Sequence, residues 1–469
     1  MNPTRIEHDS LGERDVPQSV YWGIHTLRAK ENFPISGTAI GTARELMEAF
    51  ALVKEAAADT NERLGSLSAD KAAAIRAVCK EIIAGQWHDQ FIVDVIQGGA
   101  GTSTNMNSNE VIANRGLELM GHQRGEYQFL NPIDDVNQSQ STNDAYPTAV
   151  RLAMLFALDN LIDSMQSLQT EFATKASEFN HIIKIGRTQL QDAVPMTLGQ
   201  EFRTFAVMLG EDISRVREAG ALMTEINLGA TAIGTGINTD PNYSRMACAR
   251  LAQLSGKPLV QAPDLIEATQ DVGAFVQLSG VMKRVACKLS KMCNDLRLLS
   301  SGPQAGFGEI NLPERAAGSS IMPGKVNPII PEVVNQIAFE VIGNDMTITM
   351  AAEAGQLQLN AFEPIIGWSL FKSIHHLSAG CKVLAQFCVP GITANEKLLA
   401  ERVARSAGLA TALNPYIGYE KAAEIAKAAL MQGKPVAELV LERGLLTKEQ
   451  LDRILSPERL TAPVSRLSN

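Results

Sequence analysis

Long stretches of the chain place apolar side chains at the alternating spacing of three and four that one face of an α-helix requires. From Pro147 to about Phe179 the row is Met154, Leu158, Leu161, Met165, Leu168 and Phe172. A second row, Leu198, Phe202, Phe205, Leu209, Ile213 and Val216, lies in a helix predicted from Thr197 to about Asn227. Three more long helices are predicted over about 264–299, 332–354 and 362–388. At 1.5 Å per residue, helices of about 25 to 35 residues are about 40 to 50 Å long, well beyond the average globular helix. Five of them predict an all-α fold built on an elongated central bundle. Two shorter helical patterns, ELMEAFALVKEAAADTNERLG and KAAAIRAVCKEIIAG, come before the bundle, and DVPQSVYWGIHTLRA reads as extended and loop-like. A last part begins near Gly391–Ile392, with short helices and the patterned tail KPVAELVLERGLLTKEQLDRIL.

Four polar clusters interrupt this background: Gly98–Glu110 (GGAGTSTNMNSNE), Ser139–Thr148 (SQSTNDAYPT), Gly186–Thr197 (GRTQLQDAVPMT) and Gly318–Pro328 (GSSIMPGKVNP). Each alone reads as helix caps and turns, as STND does ahead of a helical run. Together they are rich in hydroxyls and amides, poor in acids, and contribute two cations, Arg187 and Lys325. Neutral donors, backbone N–H groups at helix starts and a cation make a site for carboxylates. Helix ends in an antiparallel bundle, including ends from different subunits, would bring such clusters together.

The bulk properties narrow the partners. With 469 residues and 45% hydrophobic side chains the chain can bury a large core. A net charge of −9 argues against nucleic-acid binding, which needs a basic face, but leaves an anionic small substrate open. Aromatics are 5%, and the abundant aliphatic side chains suit close helix packing. Apolar faces on more than one side of these helices would favour oligomerisation. The six cysteines form no CxxC pair and read as buried thiols of a reducing compartment. The N-terminal MNPTRIEHDSLGERDVP has no apolar signal core, and no run of about 18 apolar residues would span a membrane. A cytoplasmic address and no membrane partner are expected. No residue constellation points to a metal or an organic cofactor, so none is expected. The adjacent His375 and His376 would point different ways on a helix and read as structural.

Common catalytic templates fit poorly. Gly318–Lys325 is not a Walker A loop, Gly234-Thr235-Gly236 lacks the third glycine of a dinucleotide fingerprint, and there is no GxSxG elbow. A serine without a His–Asp partner needs another route to basicity. Backbone N–H groups converging on its oxygen in a Gly/Pro-rich loop would stabilise the alkoxide.

GSSIMPGKVNP resembles the signature loop of the fumarase/aspartase superfamily, whose members cleave C–N or C–O bonds and release fumarate. GGAGTSTNMNSNEV, NQSQSTNDAYPTA, GRTQLQDAVPMTLGQEF, NLGATAIGTGINT, CNDLRLLSSGP and TALNPYIGY resemble further blocks of the superfamily in the same order, over essentially the whole chain. LELMGHQRGEYQFLNP, AAEAGQLQLNAFEPIIG and VLERGLLTKEQLD are similar to the aspartase branch. Fumarases carry His in the third block, where this chain has Gln189. The difference fits the chemistry: loss of water benefits from a strong acid, whereas an ammonium leaves as neutral ammonia.

The resemblance implies an all-α fold in three domains, here 1–140, 141–390 with the loop 318–328, and 391–469. It implies a homotetramer with a twenty-helix core and active sites built from three subunits. It further implies reversible deamination of L-aspartate to fumarate. Ser319 would abstract the proton next to the β-carboxylate, giving an aci-carboxylate. Thr102, Ser141, Thr142 and Ser320 would surround that carboxylate, Thr188, Lys325 and Asn327 would clamp the α-carboxylate, and Asn143 and Gln189 would hold the amino group. Two alternatives remain at this point: a class II fumarase, and a catalytically silent helical oligomer.

Overall fold

The computed structural model describes residues 3–463. An antiparallel ribbon, β1 (Thr4–Asp9) and β2 (Gly12–Pro17), precedes four helices: α1 (Ile24–Asn32), α2 (Arg44–Arg63), α3 (Ala69–Ile83) and α4 (Thr102–Leu119). Next come α5 (Thr142–Glu178), a hairpin of β3 (Ile183–Thr188) and β4 (Gln191–Thr197), α6 (Leu198–Ala221), α7 (Tyr243–Ser255), α8 (Leu265–Gln270) and α9 (Gly273–Leu299). The last two long helices are α10 (Ile329–Glu353) and α11 (Glu363–Phe387), followed by α12 (Glu396–Arg405), α13 (Asn414–Ile417), α14 (Tyr419–Gln432) and three short helices ending at Leu460. The sheets of the described residues are all two-stranded, so the fold is all-α as expected. No helix of the described residues is long and apolar enough to cross a membrane.

Several boundaries differ from the sequence reading, each for a local reason. The first long helix starts at Thr142, ahead of Pro147, because Ser141 caps it: its Oγ accepts from Asn143 N–H at 3.2 Å and its own N–H donates to Asp144 Oδ1 at 2.9 Å. The second stops at Ala221 rather than near Asn227, because Glu225–Ile226 pair as a short parallel strand with Val260–Gln261. The third is two helices. Asp264 caps α8, accepting from Ile266 and Glu267 N–H at 2.8 and 3.1 Å, and Asp271 accepts from Gly273 N–H at 3.0 Å to start α9. Within DVPQSVYWGIHTLRA only the first part is extended, since α1 begins at Ile24. The cluster 186–197, which alone reads as caps and turns, makes up most of a β-hairpin. Five cysteines are buried, but Cys287 is exposed. His375 and His376 do diverge, towards Glu45 and Glu340.

The chain divides into two compact units. One contains residues up to Asp163 together with Ser214–Ala286 and Ile337–Ser378; the other contains Ser164–Ile213, Cys287–Gln336 and residues from Ala379 onward. In the first unit α2 is buried nearly all round, and even Lys54 and Asn61 on it are inaccessible. In the second unit the ring of Phe172 on α5 packs against Phe202 and Phe205 on α6 at centroid distances of 6.2 and 5.3 Å. A separate core there joins Ile185 of β3 to Val403 of α12, Ile425 of α14 and the apolar side of the last short helices. That packing anchors the base of the β3–β4 hairpin.

Candidate active site

The Gly318–Asn327 loop is closed on itself. Gly318 N–H donates to the Lys325 carbonyl at 2.9 Å, and Asn327 Nδ2 donates to the Gly318 carbonyl at 2.7 Å. A Cβ on Gly318 would fall 2.2 Å from the Lys325 carbonyl oxygen, so this closure needs glycine. Inside the loop, Ser319 Oγ accepts hydrogen bonds from the backbone N–H of Ile321 at 3.2 Å and of Met322 at 2.9 Å. Two N–H dipoles aimed at one hydroxyl oxygen favour negative charge on it. Ser320 and Lys325 are exposed, and the Lys325 ammonium has no ion-pair partner among the described residues. Ser319, Gly324 and Lys325 line one open cleft with Glu314 and Arg315.

The hairpin carries the next pair. Thr188 ends β3, and Gln189 and Leu190 make the two-residue turn with φ of +54° and +62°. Both central residues in the left-handed region define a type I′ turn, which normally takes Asn and Gly. Strain of this kind at a polar tip is a mark of functional sites. Thr188 and Gln189 are exposed. Beside them Arg187 forms an ion pair with buried Glu309 at 2.7 Å and lies over the Phe307 ring at 4.4 Å. Lys184 reaches the same carboxylate at 2.7 Å and Glu201 at 2.6 Å.

The remaining candidates lie together in the first unit. Gly101, with φ +89°, starts α4; a Cβ there would strike the Tyr146 ring at 2.3 Å, so glycine lets α4 meet the start of α5. Thr102 opens α4 and its hydroxyl donates to the Gly99 carbonyl at 2.8 Å. Ser141, Thr142 and Asn143 form the start of α5 and are half-buried. Thr142 Oγ1 accepts from Asn105 Nδ2 at 3.1 Å, which leaves its hydroxyl proton available as a donor. Thus Thr102 and Ser141–Asn143 belong to the first unit, and Thr188, Gln189, Ser319, Ser320, Lys325 and Asn327 to the second. Among the described residues no three His, Cys, Asp or Glu side chains gather as metal ligands would.

Residues 12–343 match the family described as lyase, and residues 409–462 match the fumarase C C-terminus. The chain belongs to the fumarase/aspartase superfamily of lyases. It is 61% identical over 460 residues to an aspartate ammonia-lyase of Pseudomonas fluorescens, covering 98% of this chain and 96% of that one. Identity to the aspartate ammonia-lyase of Escherichia coli K12 is 56% over 463 residues, covering 98% and 97%. Among solved structures, a fumarate lyase:delta crystallin from Brucella melitensis bound to cobalt superposes with a TM-score of 0.96 at 54% identity, covering 98% of this chain and 100% of that chain. A class II fumarase from Schistosoma mansoni gives 0.92 at 35% identity, covering 97% and 98%.

In this member of the superfamily a buried layer, missed in the sequence, underlies the Ser141–Asn143 segment. Lys54 is fully buried, and its ammonium donates to Asn105 Oδ1, Asn137 Oδ1 and Gln140 Oε1 at 2.8, 3.0 and 2.9 Å. Burial pulls it down to about 7, against the attraction of Asp144. Asp144 is buried as well, and burial pushes its carboxyl up to about 6 against three backbone N–H bonds and Lys54. One signal for Lys54 was available: it is the lone cation within the apolar run FALVKEAAA. A charge amid apolar positions on a buried helix needs partners.

Proposed function

We propose that the chain reversibly deaminates L-aspartate to fumarate and ammonia. The observation that carries the chemistry is the Ser319 oxygen receiving two backbone N–H groups inside a glycine-closed loop. Full-length likeness to several aspartate ammonia-lyases supports the substrate. Ser319, as alkoxide, takes a proton from the carbon next to the β-carboxylate. The C–H electron pair moves into that carboxylate as an aci-carboxylate dianion, which Thr102, Ser141, Thr142 and Ser320 hold by neutral donors. When the dianion collapses, the C=C bond forms and the C–N bond breaks, releasing ammonia. Thr188, Lys325 and Asn327 hold the α-carboxylate, and Asn143 and Gln189 hold the amino group. A single fixed cation suits a site that must release a dianionic product.

The site residues come from four separate segments, and we propose that a homotetramer gathers them, with the chain organised as 1–140, 141–390 and 391–469. An exposed apolar row on α10, Phe339, Ile342, Met346 and Met350, supports such an assembly. The free thiols fit a cytoplasmic enzyme.

Fumarate absorbs in the ultraviolet, so the test is direct. Absorbance should rise with L-aspartate and stay flat with L-malate. The class II fumarase likeness makes malate the informative second arm; a rise with malate alone would replace this reading by a hydratase.

Lys325→Ala should raise KM for L-aspartate strongly and leave the melting temperature nearly unchanged, because its ammonium is exposed and unpaired in the described structure. Losing one charge-assisted hydrogen-bonded contact costs about 1.5–3 kcal/mol, or about tenfold to a hundredfold in binding. A large fall in melting temperature with KM intact would make Lys325 a structural residue instead.

A further inference from the structure

An ammonium group only donates hydrogen bonds, so whatever recognises it must present an acceptor. Asn143 has one of each, and its orientation is fixed. Its Nδ2 donates to the Ala232 carbonyl at 2.7 Å, which leaves Oδ1 as the atom free to meet a ligand. The main chain beneath is pinned as well. Pro147 lacks the N–H that would close the helical bond to the Asn143 carbonyl. Asn227 Nδ2 fills that place at 3.0 Å while also donating to Thr269 Oγ1 at 3.1 Å.

The Ala232 carbonyl is itself held by an unusual segment. Thr231, immediately before it, has φ +57°, which a β-branched residue rarely adopts. Such a conformation persists only when its surroundings over-determine it. The restraint comes from Asp144. Its Oδ2 accepts from the N–H of Gly229 at 2.9 Å and of Thr231 at 3.0 Å, and its Oδ1 accepts from Ser141 N–H at 2.9 Å. One buried carboxylate thus ties the loop around 229–232 to the start of α5 on either side of Asn143.

We infer that Asp144 is a positioning residue for amine recognition: by fixing residues 229–232 it fixes the Ala232 carbonyl, and that carbonyl turns Asn143 so that Oδ1 faces the ammonium of the substrate. The inference rests on the proposed deamination and on Asn143 lying in its site. Without Asp144, residues 229–232 relax, the carbonyl swings away, and the Asn143 amide turns freely, offering its NH2 as often as its oxygen. With asparagine at 144 the amide oxygen can keep the Ser141 N–H while its NH2 meets the Gly229 and Thr231 N–H groups, so residues 229–232 loosen and Ser141 stays in place.

The test separates the amine from the dicarboxylate. In Asp144→Asn, KM for L-aspartate and, in the reverse direction, KM for ammonia at fixed fumarate should each rise about tenfold or more, the effect of misplacing a hydrogen bond to a charged group. Competitive inhibition by succinate, the same diacid without the amine, should stay within about twofold, since the asparagine oxygen still holds Ser141 and the other carboxylate contacts lie elsewhere. A rise shared equally by succinate and ammonia means that Asp144 merely supports the fold, and no change in either removes the role. Both overturn the inference. If Asp144→Asn is insoluble, Asp144→Glu, which keeps the charge but displaces the carboxylate by one methylene from Gly229 and Thr231, is read by the same ratio. Wild-type enzyme that released no fumarate from L-aspartate would sink the proposed function and the amine role together. An active wild type with an unselective Asp144→Asn would sink the amine role alone.

Discussion

Replacement of Ser319 by alanine is expected to lower turnover by about a hundredfold to ten-thousandfold, the range for removing a positioned base, with the fold intact. The two halves of this expectation come from one feature. Among the described residues the Ser319 oxygen bonds only to the N–H groups of Ile321 and Met322, two and three residues along an exposed loop. Both bonds stay within the loop, so alanine costs the loop one local turn and breaks no hydrogen bond to the rest of the described structure. Those N–H groups matter to catalysis because a seryl hydroxyl is far too weak a base unless its ionised form is stabilised where it sits. Fumarate absorbance gives the rate, and a thermal melt gives the fold. Near-normal turnover in Ser319→Ala would remove the base assignment. A collapse of the melt would mean that the loop closure through Gly318, Lys325 and Asn327 depends on the hydroxyl, contrary to the geometry.

The long helices were legible because burial enforces period. Met154 to Phe172 and Leu198 to Val216 are all inside, as their spacing required. Helix ends were less legible, because side chains decide them. Asp264 and Asp271 split one predicted helix in two by capping each half, and nothing in the apolar row changes there. The hairpin at 183–197 was hidden for a related reason: its tip places Gln189 and Leu190 at positive φ, where sequence rules expect Asn and Gly. Candidate site residues stood out as polar clusters, yet the groups that aim them did not. Asn105 and Gln140 sit in clusters that read as caps and turns, but their side-chain oxygens, with that of Asn137, converge on a buried lysine. Convergence of residues 51 to 86 positions apart along the chain has no periodic signature.

Glu309→Ala is expected to be the most destabilising of these substitutions, by about 3–5 kcal/mol, the cost of stranding a buried charge. The Glu309 side chain is 1% exposed and meets Lys184, itself 2% exposed, at 2.7 Å and Arg187 at 2.7 Å. Arg402 approaches at 3.5 Å and donates to the Phe307 carbonyl at 2.6 Å. Among the described residues, removing the carboxylate leaves Lys184 with Glu201 and Arg187 with the distant, exposed Asp192 at 3.9 Å as ion-pair partners. Lys184 and Arg187 would then share one water-poor spot, with the partly exposed Arg402 beside it. The contrast is Glu218→Ala, which breaks the surface pair Arg215–Glu218, where both side chains are about half exposed; exposed pairs contribute about 0–1 kcal/mol. Chemical denaturation of both variants beside the wild type measures the difference. Because Arg187 adjoins Thr188 and Gln189 at the strained turn, Glu309→Gln, which keeps the shape and drops the charge, should also raise KM for L-aspartate while losing less stability than the alanine variant. Equal stability losses in Glu309→Ala and Glu218→Ala would mean that water reaches the Lys184–Glu309–Arg187 cluster, and the hairpin would then owe its place to Ile185 and its apolar neighbours instead.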